Sequence, residues 1–284
     1  MQIAMTIAEI RAYVAQARGA GKTVGFVPTM GALHAGHASL IEAAAGRCGY
    51  VVVSIFVNPT QFGPGEDFEK YPRPFEKDVE LCERYGAQAI FAPNPAEMYP
   101  RENLTWVTVE KLTEPLCGQS RPGHFRGVTT VCTKLFNIVG ADVAFFGQKD
   151  AQQAIVIRRM AADLNMPLEI VVCPTVREPD GLAMSSRNRY LSPQERSQAP
   201  VIYRALQRCA ERIGAGEKNA ARIVEEMNRV FEQAPVLRVE YVSIVDAESL
   251  QECDQVSGKV LVAIAGRLGS TRLIDNIMVD TTAR

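Results

Sequence analysis

Hydrophobic and polar positions recur with helical spacing in some segments and form continuous apolar runs in others. Thr6 and Glu9 form a capping-box pattern ahead of apolar residues at helical spacing through Val14. Apolar runs that predict strands lie at residues 23–27, 50–57, 89–92, 143–146 and 168–173. The run at residues 50–57 is nearly continuous, which is typical of a strand covered on both faces. Helical patterns separate the five runs at residues 35–45, 75–85, 128–139 and 151–165. This alternation predicts an α/β fold with a doubly wound parallel sheet.

The pattern changes after Cys173. Helical patterns at residues 193–213 and 220–231 precede strand-like runs at residues 237–245, 259–265 and 272–279. The first run alternates and predicts two faces, one formed by Leu237, Val239, Tyr241 and Ser243 and the other by Arg238, Glu240 and Val242. Strands without intervening helices favour an antiparallel sheet. We therefore expect a Rossmann-like domain over residues 1–174 and a smaller C-terminal α+β domain over residues 175–284.

Composition narrows the class of protein. The chain has 284 residues, 47% of them apolar, and 31 basic residues against 32 acidic ones. This balance argues against a nucleic-acid-binding protein. The longest apolar run, residues 51–57, is too short for a membrane span, and no secretory signal is recognised. The seven cysteines include no CxxC pair, which predicts reduced thiols and a cytoplasmic protein.

A turn with two of the chain's three histidines follows the first of these apolar runs. Residues 28–37 read PTMGALHAGH and lead into a helix, at the strand end where open α/β sheets bind ligands. Gly31 and Gly36 allow close approach of the backbone, and the helix start is expected to present unpaired N–H groups to phosphate. His34 and His37, one turn apart, are expected to donate hydrogen bonds there. This position favours a nucleotide site over an ordinary surface pair; zinc lacks a third ligand, and GxGxxG is absent.

Two further stretches carry neutral and basic groups. Asn58 and Gln61 follow the run at residues 50–57 and suit hydroxyls and carboxylates, although Asn-Pro is equally typical of a simple turn. Residues 121–127 read RPGHFRG and could bind an anion, whereas for His124 itself a structural role in the loop is favoured.

The last two candidate stretches could contact phosphate. Lys149 follows the run at residues 143–146 and is expected beside phosphates, with Asp150 capping the next helix and Gln153 one turn further on. Residues 180–189 contain two serines and an arginine that could clamp phosphate from a mobile loop. A polar linker between domains is the alternative for this stretch.

Taken together, the motifs resemble one enzyme family. They are PTMGALHAGH (28–37), FVNPTQFGPGEDFEKYPR (56–73), GHFRGVTTV (123–131), FGQKDAQQ (146–153) and REPDGLAMSSRN (177–188). In this order they are similar to the pantothenate synthetase (pantoate–β-alanine ligase) family. More widely they resemble nucleotidylyltransferases and class I aminoacyl-tRNA synthetases, whose HIGH and KMSKS signatures correspond to HAGH and AMSSR. The second stretch lacks the KMSKS lysines, and its two serines and arginine are expected to do their work.

The resemblance implies an ATP-dependent ligase that condenses (R)-pantoate with β-alanine through pantoyl adenylate and releases AMP and pyrophosphate. It implies catalytic roles for His37, as proton donor, and for His34 and Lys149. Its expected ATP contacts are Met30, Gly31, Ala32, Leu33, His34, Ala35, Gly36, His37, Gly147, Gln148, Lys149, Asp150, the backbone at Val176, Met184, Ser185, Ser186 and Arg187. The expected substrate contacts are Gln61 to pantoate and β-alanine, Gln153 to pantoate, and Asn58. Mg²⁺ is expected with ATP, held mainly by its phosphates, with Asp78 as a further candidate ligand; a homodimer is also expected.

Two other functions remain open. A nucleotidylyltransferase of the same fold would act on a small phosphorylated substrate, but the neutral Gln61 and Gln153 suit a hydroxy acid better. A non-catalytic nucleotide-binding sensor would not be expected to keep both histidines, Lys149 and the Ser-Ser-Arg stretch. A tRNA ligase is disfavoured because neither a basic excess nor an anticodon-binding extension is recognised in the sequence.

Overall fold

The computed structural model describes residues 1–282. Its elements in chain order are β1 Gln2–Ala4, α1 Ile7–Gly19, β2 Val24–Thr29, α2 Ala35–Ala45, β3 Tyr50–Ile55, α3 Phe75–Arg84, β4 Ala89–Phe91, α4 Pro95–Met98, α5 Cys117–Ser120, α6 His124–Val139, β5 Val143–Gly147, α7 Ala151–Asp163, β6 Glu169–Cys173, α8 Pro193–Gln198, α9 Val201–Gly214, α10 Ala220–Phe231, β7 Leu237–Asp246, β8 Lys259–Leu268 and β9 Thr271–Asp280. Short 3₁₀ turns form at Pro59–Gln61, Gln148–Asp150 and Ser186–Tyr190.

Within residues 1–282, β1 to β6 form a six-stranded parallel sheet in the order β1-β4-β3-β2-β5-β6. The chain builds outward from β2 to β3 and β4, and then crosses to β5 on the other side of β2. The switch point of the sheet therefore lies between β2 and β5, where folds of this kind bind ligands beyond the carboxyl ends of the strands. Those ends are Thr29 and Gly147. The predicted parallel α/β sheet is confirmed.

Alternating side chains of the parallel strands build a core on each face of the sheet. Phe26 and Val52 pack with side chains of α1, α6 and α7 on one face. Val27 and Val53 point to the other face and pack with side chains of α2 and α3. Because both faces are covered, the central strands β2, β3 and β5 are almost entirely apolar and buried.

By its internal contacts the chain divides into two compact units. The first comprises residues 1–113, 120–148 and 153–174, and the second comprises residues 114–119, 149–152 and 175–284. In the described part of the second unit, β7, β8 and β9 form a three-stranded antiparallel sheet, as predicted. Its core is formed by apolar side chains of α9 and α10 and of the sheet, among them Leu206, Ile223 and Val262.

The predicted alternation along residues 237–245 is wrong in part. The pairing of β7 with β8 shifts between Val239 and Tyr241, which marks a β-bulge. An extra residue in one strand reverses the side-chain alternation beyond it. Val242, predicted to share a face with Arg238, accordingly packs on the apolar core. Val239, predicted to share a face with Leu237, is exposed at the start of the bulge.

Three other local features differ from the sequence predictions. The helix predicted over residues 128–139 begins at His124, directly after Gly123 with its left-handed φ of 81°. The helical pattern of residues 193–213 is two helices, because Pro200 follows the end of α8. The strand β1 was not predicted; its three residues are too few to show a period.

Two negative predictions can be compared with the structure. No helix within residues 1–282 is long and apolar enough to cross a membrane. None of the seven cysteines, all of which lie in the described residues, forms a disulfide, and six are buried. Burial raises the pKa of Cys82, Cys132 and Cys209 to about 12, so these thiols remain protonated and unreactive at neutral pH.

Candidate active site

One carboxylate from α3 stabilises the turn after β2. Gly31 and Ala32 have left-handed φ angles of 81° and 52°, and the second of these is costly for a residue with a Cβ. Asp78, 2% exposed, accepts hydrogen bonds from the Ala32 and Leu33 amides, at 2.8 and 2.7 Å. Asp78 therefore stabilises a turn whose backbone would otherwise be strained.

Asp78→Asn is expected to destabilise the first unit by about 2 kcal/mol, because one carboxylate oxygen becomes an NH₂ group facing a backbone donor. Thermal unfolding would measure the loss, and weaker ATP binding should accompany it. Glu76→Gln is the matched control, since Glu76 is an exposed carboxylate on the same helix. Equal unfolding temperatures for the two variants would contradict this role of Asp78.

His34 and His37 use the same ring nitrogen to cap α2. The Nδ1 atom of His34 accepts a hydrogen bond from the Gly36 amide at 3.1 Å. The Nδ1 atom of His37 accepts one from the His34 amide at 3.3 Å. The ring centroids are 4.2 Å apart. Because Nδ1 is the acceptor in each neutral ring, the proton of each ring is on Nε2.

This arrangement changes the expected source of hydrogen bonds to a phosphate. The sequence predicts unpaired amides at the start of α2, but Ala32, Leu33, His34 and Gly36 already donate within the protein. The acceptors are one carboxylate and two imidazole rings. The groups suited to an anion are therefore the two Nε2–H donors, at a helix start with no acidic residue in its first turn. A neutral ring whose Nδ1 atom already accepts an amide can donate from Nε2 to an anion.

The turn after β3 is organised around Asn58, which is 1% exposed. Its Nδ2 group donates to Gln61 Oε1 at 3.1 Å and to the Gly127 carbonyl at 3.2 Å. Its Oδ1 atom accepts from Thr60 and from the Tyr99 hydroxyl. With these hydrogen bonds to the protein, Asn58 is better placed to orient Gln61 than to contact a substrate.

Gln61 and the third histidine are joined through a backbone carbonyl. The His124 Nδ1 atom lies 2.8 Å from the Gln61 carbonyl, and Arg121 Nη1 lies 3.0 Å from His124 Nε2. Since a carbonyl only accepts and a guanidinium only donates, the neutral ring carries its proton on Nδ1, the opposite tautomer from His34 and His37. The side chain of Gln61 donates to Met30 Sδ at 3.1 Å and so connects two of the predicted motifs.

Arg121 also fixes the loop that follows Gln61. Its Nε and Nη2 atoms contact both carboxylate oxygens of Glu66, at 2.7 and 2.6 Å. Burial alone would raise the pKa of Glu66, but the hydrogen bonds and charge of Arg121 hold it below its usual range. The structural role favoured for His124 agrees with these contacts, since His124 is bound to Arg121 and to the Gln61 carbonyl and Arg121 is paired with Glu66.

In the second unit, Lys149 lies in a 3₁₀ turn that follows β5. Its ammonium is 3.7 Å from the Asp150 carboxylate, and its carbonyl accepts a hydrogen bond from Asn276 Nδ2 at 2.9 Å. Gln152 is also bound to the protein: it accepts from the Cys117 amide and donates to the Pro115 carbonyl. Gln153, on the next position of α7, is half-buried.

The Ser-Ser-Arg stretch ends a tight hairpin. The Met184 amide donates to the Val176 carbonyl at 3.0 Å, and Arg177 pairs with Ala183 in an antiparallel bridge. Ser185 then accepts from the Arg187 amide at 3.3 Å and begins the next 3₁₀ turn. These contacts argue against the linker interpretation, because the segment is ordered by its own hydrogen bonds.

Comparison with known proteins identifies the chain's relatives. The family model described as pantoate-beta-alanine ligase matches residues 2–278. The chain belongs to the pantoate–β-alanine ligase family. The pantothenate synthetases of Pelotomaculum thermopropionicum and Moorella thermoacetica are each 54% identical to it, over 98% and 99% of this chain and 99% of theirs. The resemblance inferred from the motifs is confirmed.

Solved structures of this ligase family have the same fold. A crystal structure of the Thermus thermophilus pantothenate synthetase is 46% identical, with a TM-score of 0.93 over 98% of this chain and 99% of that one. The pantoate-beta-alanine ligase of Francisella tularensis, in complex with beta-gamma ATP and beta-alanine, is 31% identical, with a TM-score of 0.81 over 100% of this chain and 99% of that one. The prediction that the chain is a ligase is confirmed.

A resident metal site does not fit the residues that this family member presents. Among residues 1–282, no three or more His, Cys, Asp or Glu side chains are grouped so that they could hold a metal ion. Asp78, the candidate Mg²⁺ ligand, binds two backbone amides through its two oxygens. We therefore assign Asp78 to the turn after β2.

The sequence reasoning gave no role to Arg177, Asp275 or Asn276, although Asn276 contacts Lys149 and Asp275 contacts Arg177, the first residue of the motif at residues 177–188. Asp275 and Asn276 are buried in the middle of β9, and Arg177 pairs with the first of them. The available signal was the segment Leu-Ile-Asp-Asn-Ile-Met at residues 273–278, in which two residues that strands disfavour interrupt an apolar run.

Proposed function

We propose that the chain is an ATP-dependent ligase that condenses (R)-pantoate with β-alanine to give pantothenate, AMP and pyrophosphate. The observation that carries the proposal is the family match over residues 2–278, which includes both α2 histidines, Gln61, Lys149 and the Ser-Ser-Arg hairpin. The proposal includes Mg²⁺ arriving with ATP and a cytoplasmic homodimer.

In the first half-reaction, a pantoate carboxylate oxygen attacks the α-phosphorus of ATP and the bond to the leaving pyrophosphate breaks. A carboxylate is already ionised at neutral pH, so this half needs no general base. It needs alignment of the reactants and neutralisation of phosphate charge. The Nε2–H groups of His34 and His37 are suited to donate to phosphate oxygens, and the Lys149 ammonium is suited to balance their charge.

In the second half-reaction, the neutral amine of β-alanine attacks the adenylate carbonyl, the amine loses a proton and AMP leaves. Gln61 is suited to orient both pantoate and β-alanine because Asn58, His124 and Arg121 fix its side chain and carbonyl. Neutral amides bind hydroxyl and carboxylate groups without the charge that a second phosphate would require. Gln153 is proposed to hold pantoate.

The other proposed ATP contacts are assigned unit by unit. In the first unit they are Met30, Gly31, Ala32, Leu33, Ala35, Gly36, Gly147 and Gln148. In the second unit they are Asp150, the Val176 backbone, Met184, Ser185, Ser186 and Arg187, the last of which suits phosphate because its planar fork donates several hydrogen bonds.

Exchange of labelled pyrophosphate into ATP tests the proposal. We expect exchange that requires pantoate and not β-alanine, because the adenylate forms before the amine reacts. Exchange that proceeds without pantoate, or that needs a phosphorylated substrate instead, would favour a nucleotidylyltransferase. ATP binding without pantoate-dependent exchange above background would favour a nucleotide sensor. Hydroxy acids that lack one pantoate hydroxyl would then measure how strictly the substrate is recognised.

A further inference from the structure

We propose that Asp275, Asn276 and Arg177 are positioning residues that hold the Lys149 turn and the Ser-Ser-Arg hairpin in a fixed relation, an inference that rests on the proposed function. The three residues and both of the segments that they hold belong to the second unit. Asp275 and Asn276 lie outside the quoted motifs, and Arg177, the first residue of the motif at residues 177–188, is not among the expected ATP or substrate contacts.

The Lys149 turn is held through its backbone. Asn276, 5% exposed, donates from Nδ2 to the Lys149 carbonyl at 2.9 Å. This bond leaves the Lys149 ammonium to act on other groups while its main chain is fixed. A main-chain hydrogen bond to a buried strand residue restricts where the ammonium can reach, and that restriction is what phosphate chemistry requires.

The hairpin is held through Arg177. Its two terminal nitrogens contact the two carboxylate oxygens of Asp275, at 2.5 and 3.0 Å, and Nη1 also donates to the Gly181 carbonyl at 3.1 Å. The guanidinium lies 3.9 Å from the centre of the Tyr203 ring. At Gly181, whose φ is 93°, any Cβ would overlap the Tyr203 ring, so this turn has little room to move.

Asp275 and Asn276 join the two contacts because they are consecutive residues of β9. Asp275 is 3% exposed, and its Oδ1 atom accepts the Asn276 amide at 2.8 Å. Burial raises the pKa of Asp275, while the charges of Arg177 and Lys149 act in the opposite direction. Stability does not explain such an arrangement, since well-packed apolar residues in place of a buried ion pair are often neutral or stabilising. Asp and Asn are also poor strand formers, so a positional requirement is the better explanation.

The first test is a double-mutant cycle on Asn276 and Lys149. Asn276→Ala is expected to weaken ATP binding and to lower the maximal exchange rate about fivefold, with little change in the KM for pantoate. In a Lys149→Ala background the same substitution should have no further effect, because it acts through Lys149. Asn137→Ala is the control: Asn137 is exposed and also donates to a backbone carbonyl at 2.9 Å. Equal effects of Asn276→Ala in both backgrounds would overturn the proposal.

The contact between Asp275 and the Ser-Ser-Arg hairpin is tested by a second double-mutant cycle. Asp275→Asn is expected to lower ATP affinity about fivefold or more, and the loss should disappear in an Arg187→Ala background. The control is Asp163→Asn, which breaks the exposed ion pair with Arg159. Should Asp275→Asn fail to fold, Arg177→Lys, which keeps the charge but removes the forked contact, replaces it. An equal loss of ATP affinity with and without Arg187 would refute the proposed role of Asp275.

ATP affinity separates the failure of this proposal from failure of the proposed function. If the wild-type chain shows no pantoate-dependent exchange, the ligase assignment fails, yet the binding cycles still report whether Asn276 acts through Lys149. If the wild-type chain shows pantoate-dependent pyrophosphate exchange and the effects in the cycles are additive, the ligase assignment stands and the positioning role is wrong.

Discussion

His37→Ala should fold as the wild type does and lower the rate of adenylate formation at least about tenfold. The reason is that its Nε2–H group is proposed to donate to phosphate oxygens as charge moves onto them, and single donors aimed at developing charge are worth about 10²–10³ in rate. Loss of the Nδ1 contact to the His34 amide should cost about 1 kcal/mol of stability, as for other lost helix caps. Pantoate-dependent pyrophosphate exchange measures the rate, and thermal unfolding measures the stability.

Two further substitutions at this position separate capping from catalysis. Asn places an acceptor near the position of Nδ1 and keeps the cap, whereas Gln places an N–H donor near the position of Nε2. If the role is donation to phosphate, His37→Gln should retain more exchange activity than His37→Asn. The reverse order, or near-normal exchange in the Ala variant, would rule out the proposed role.

Gly127→Ala is expected to destabilise the first unit by about 3 kcal/mol or more, a value typical of severe overpacking. A Cβ at this position would overlap the Thr60 carbonyl and lie 2.7 Å from Gln61 Cα, so that only backbone movement could relieve the contact. The Thr60 carbonyl belongs to the turn that holds Gln61. We therefore expect a fall of about 6–12 °C in the unfolding temperature, together with a raised KM for pantoate.

Gly214→Ala is the matched control for this prediction. Gly214 is the last residue of α9 and does not have a left-handed φ. A Cβ added there would meet no atom within 4 Å apart from the backbone of its own helix and its chain neighbours. Replacing a helical glycine by alanine without a clash should be neutral or stabilising by up to about 1 kcal/mol. If both variants unfolded at the wild-type temperature, the close approach of α6 to the Pro59–Gln61 turn would be without energetic consequence.

Local patterns predicted the elements that depend on neighbouring residues. The helix predicted over residues 35–45 has the same limits as α2, because its apolar spacing and its cap are encoded within a few positions. The predicted runs at residues 23–27 and 143–146 end within two residues of the ends of β2 and β5, and parallel pairing brings these strand ends to the same edge of the sheet. Predicting the location of the candidate site therefore required only the order of the elements and the motif residues.

Contacts between distant residues were not predictable in this way. Asp78 is 46 positions from Ala32, and Asn276 is 127 positions from Lys149. No periodic pattern of residues in the sequence indicates such contacts between distant residues. The amides at the start of α2 were expected to be unpaired because helix starts have no internal acceptors, but His34 accepts from the Gly36 amide, and the preceding amides of Ala32, Leu33 and His34 donate to Asp78 and His37. The β7 bulge was also unpredictable, since the number of apolar residues in the run is the same with or without a bulge.

The capping of α2 by its own histidines has a consequence for protein design. The Gly31, His34, Gly36 and His37 amides donate to acceptors within residues 31–37 or to Thr29 at the border, whereas the Ala32 and Leu33 amides donate to the distant Asp78. The orientation of both imidazole rings is thus set by hydrogen bonds within this segment. A parallel strand, this turn and one carboxylate from a neighbouring helix are therefore the parts to transplant into a host protein that is to present two imidazole donors.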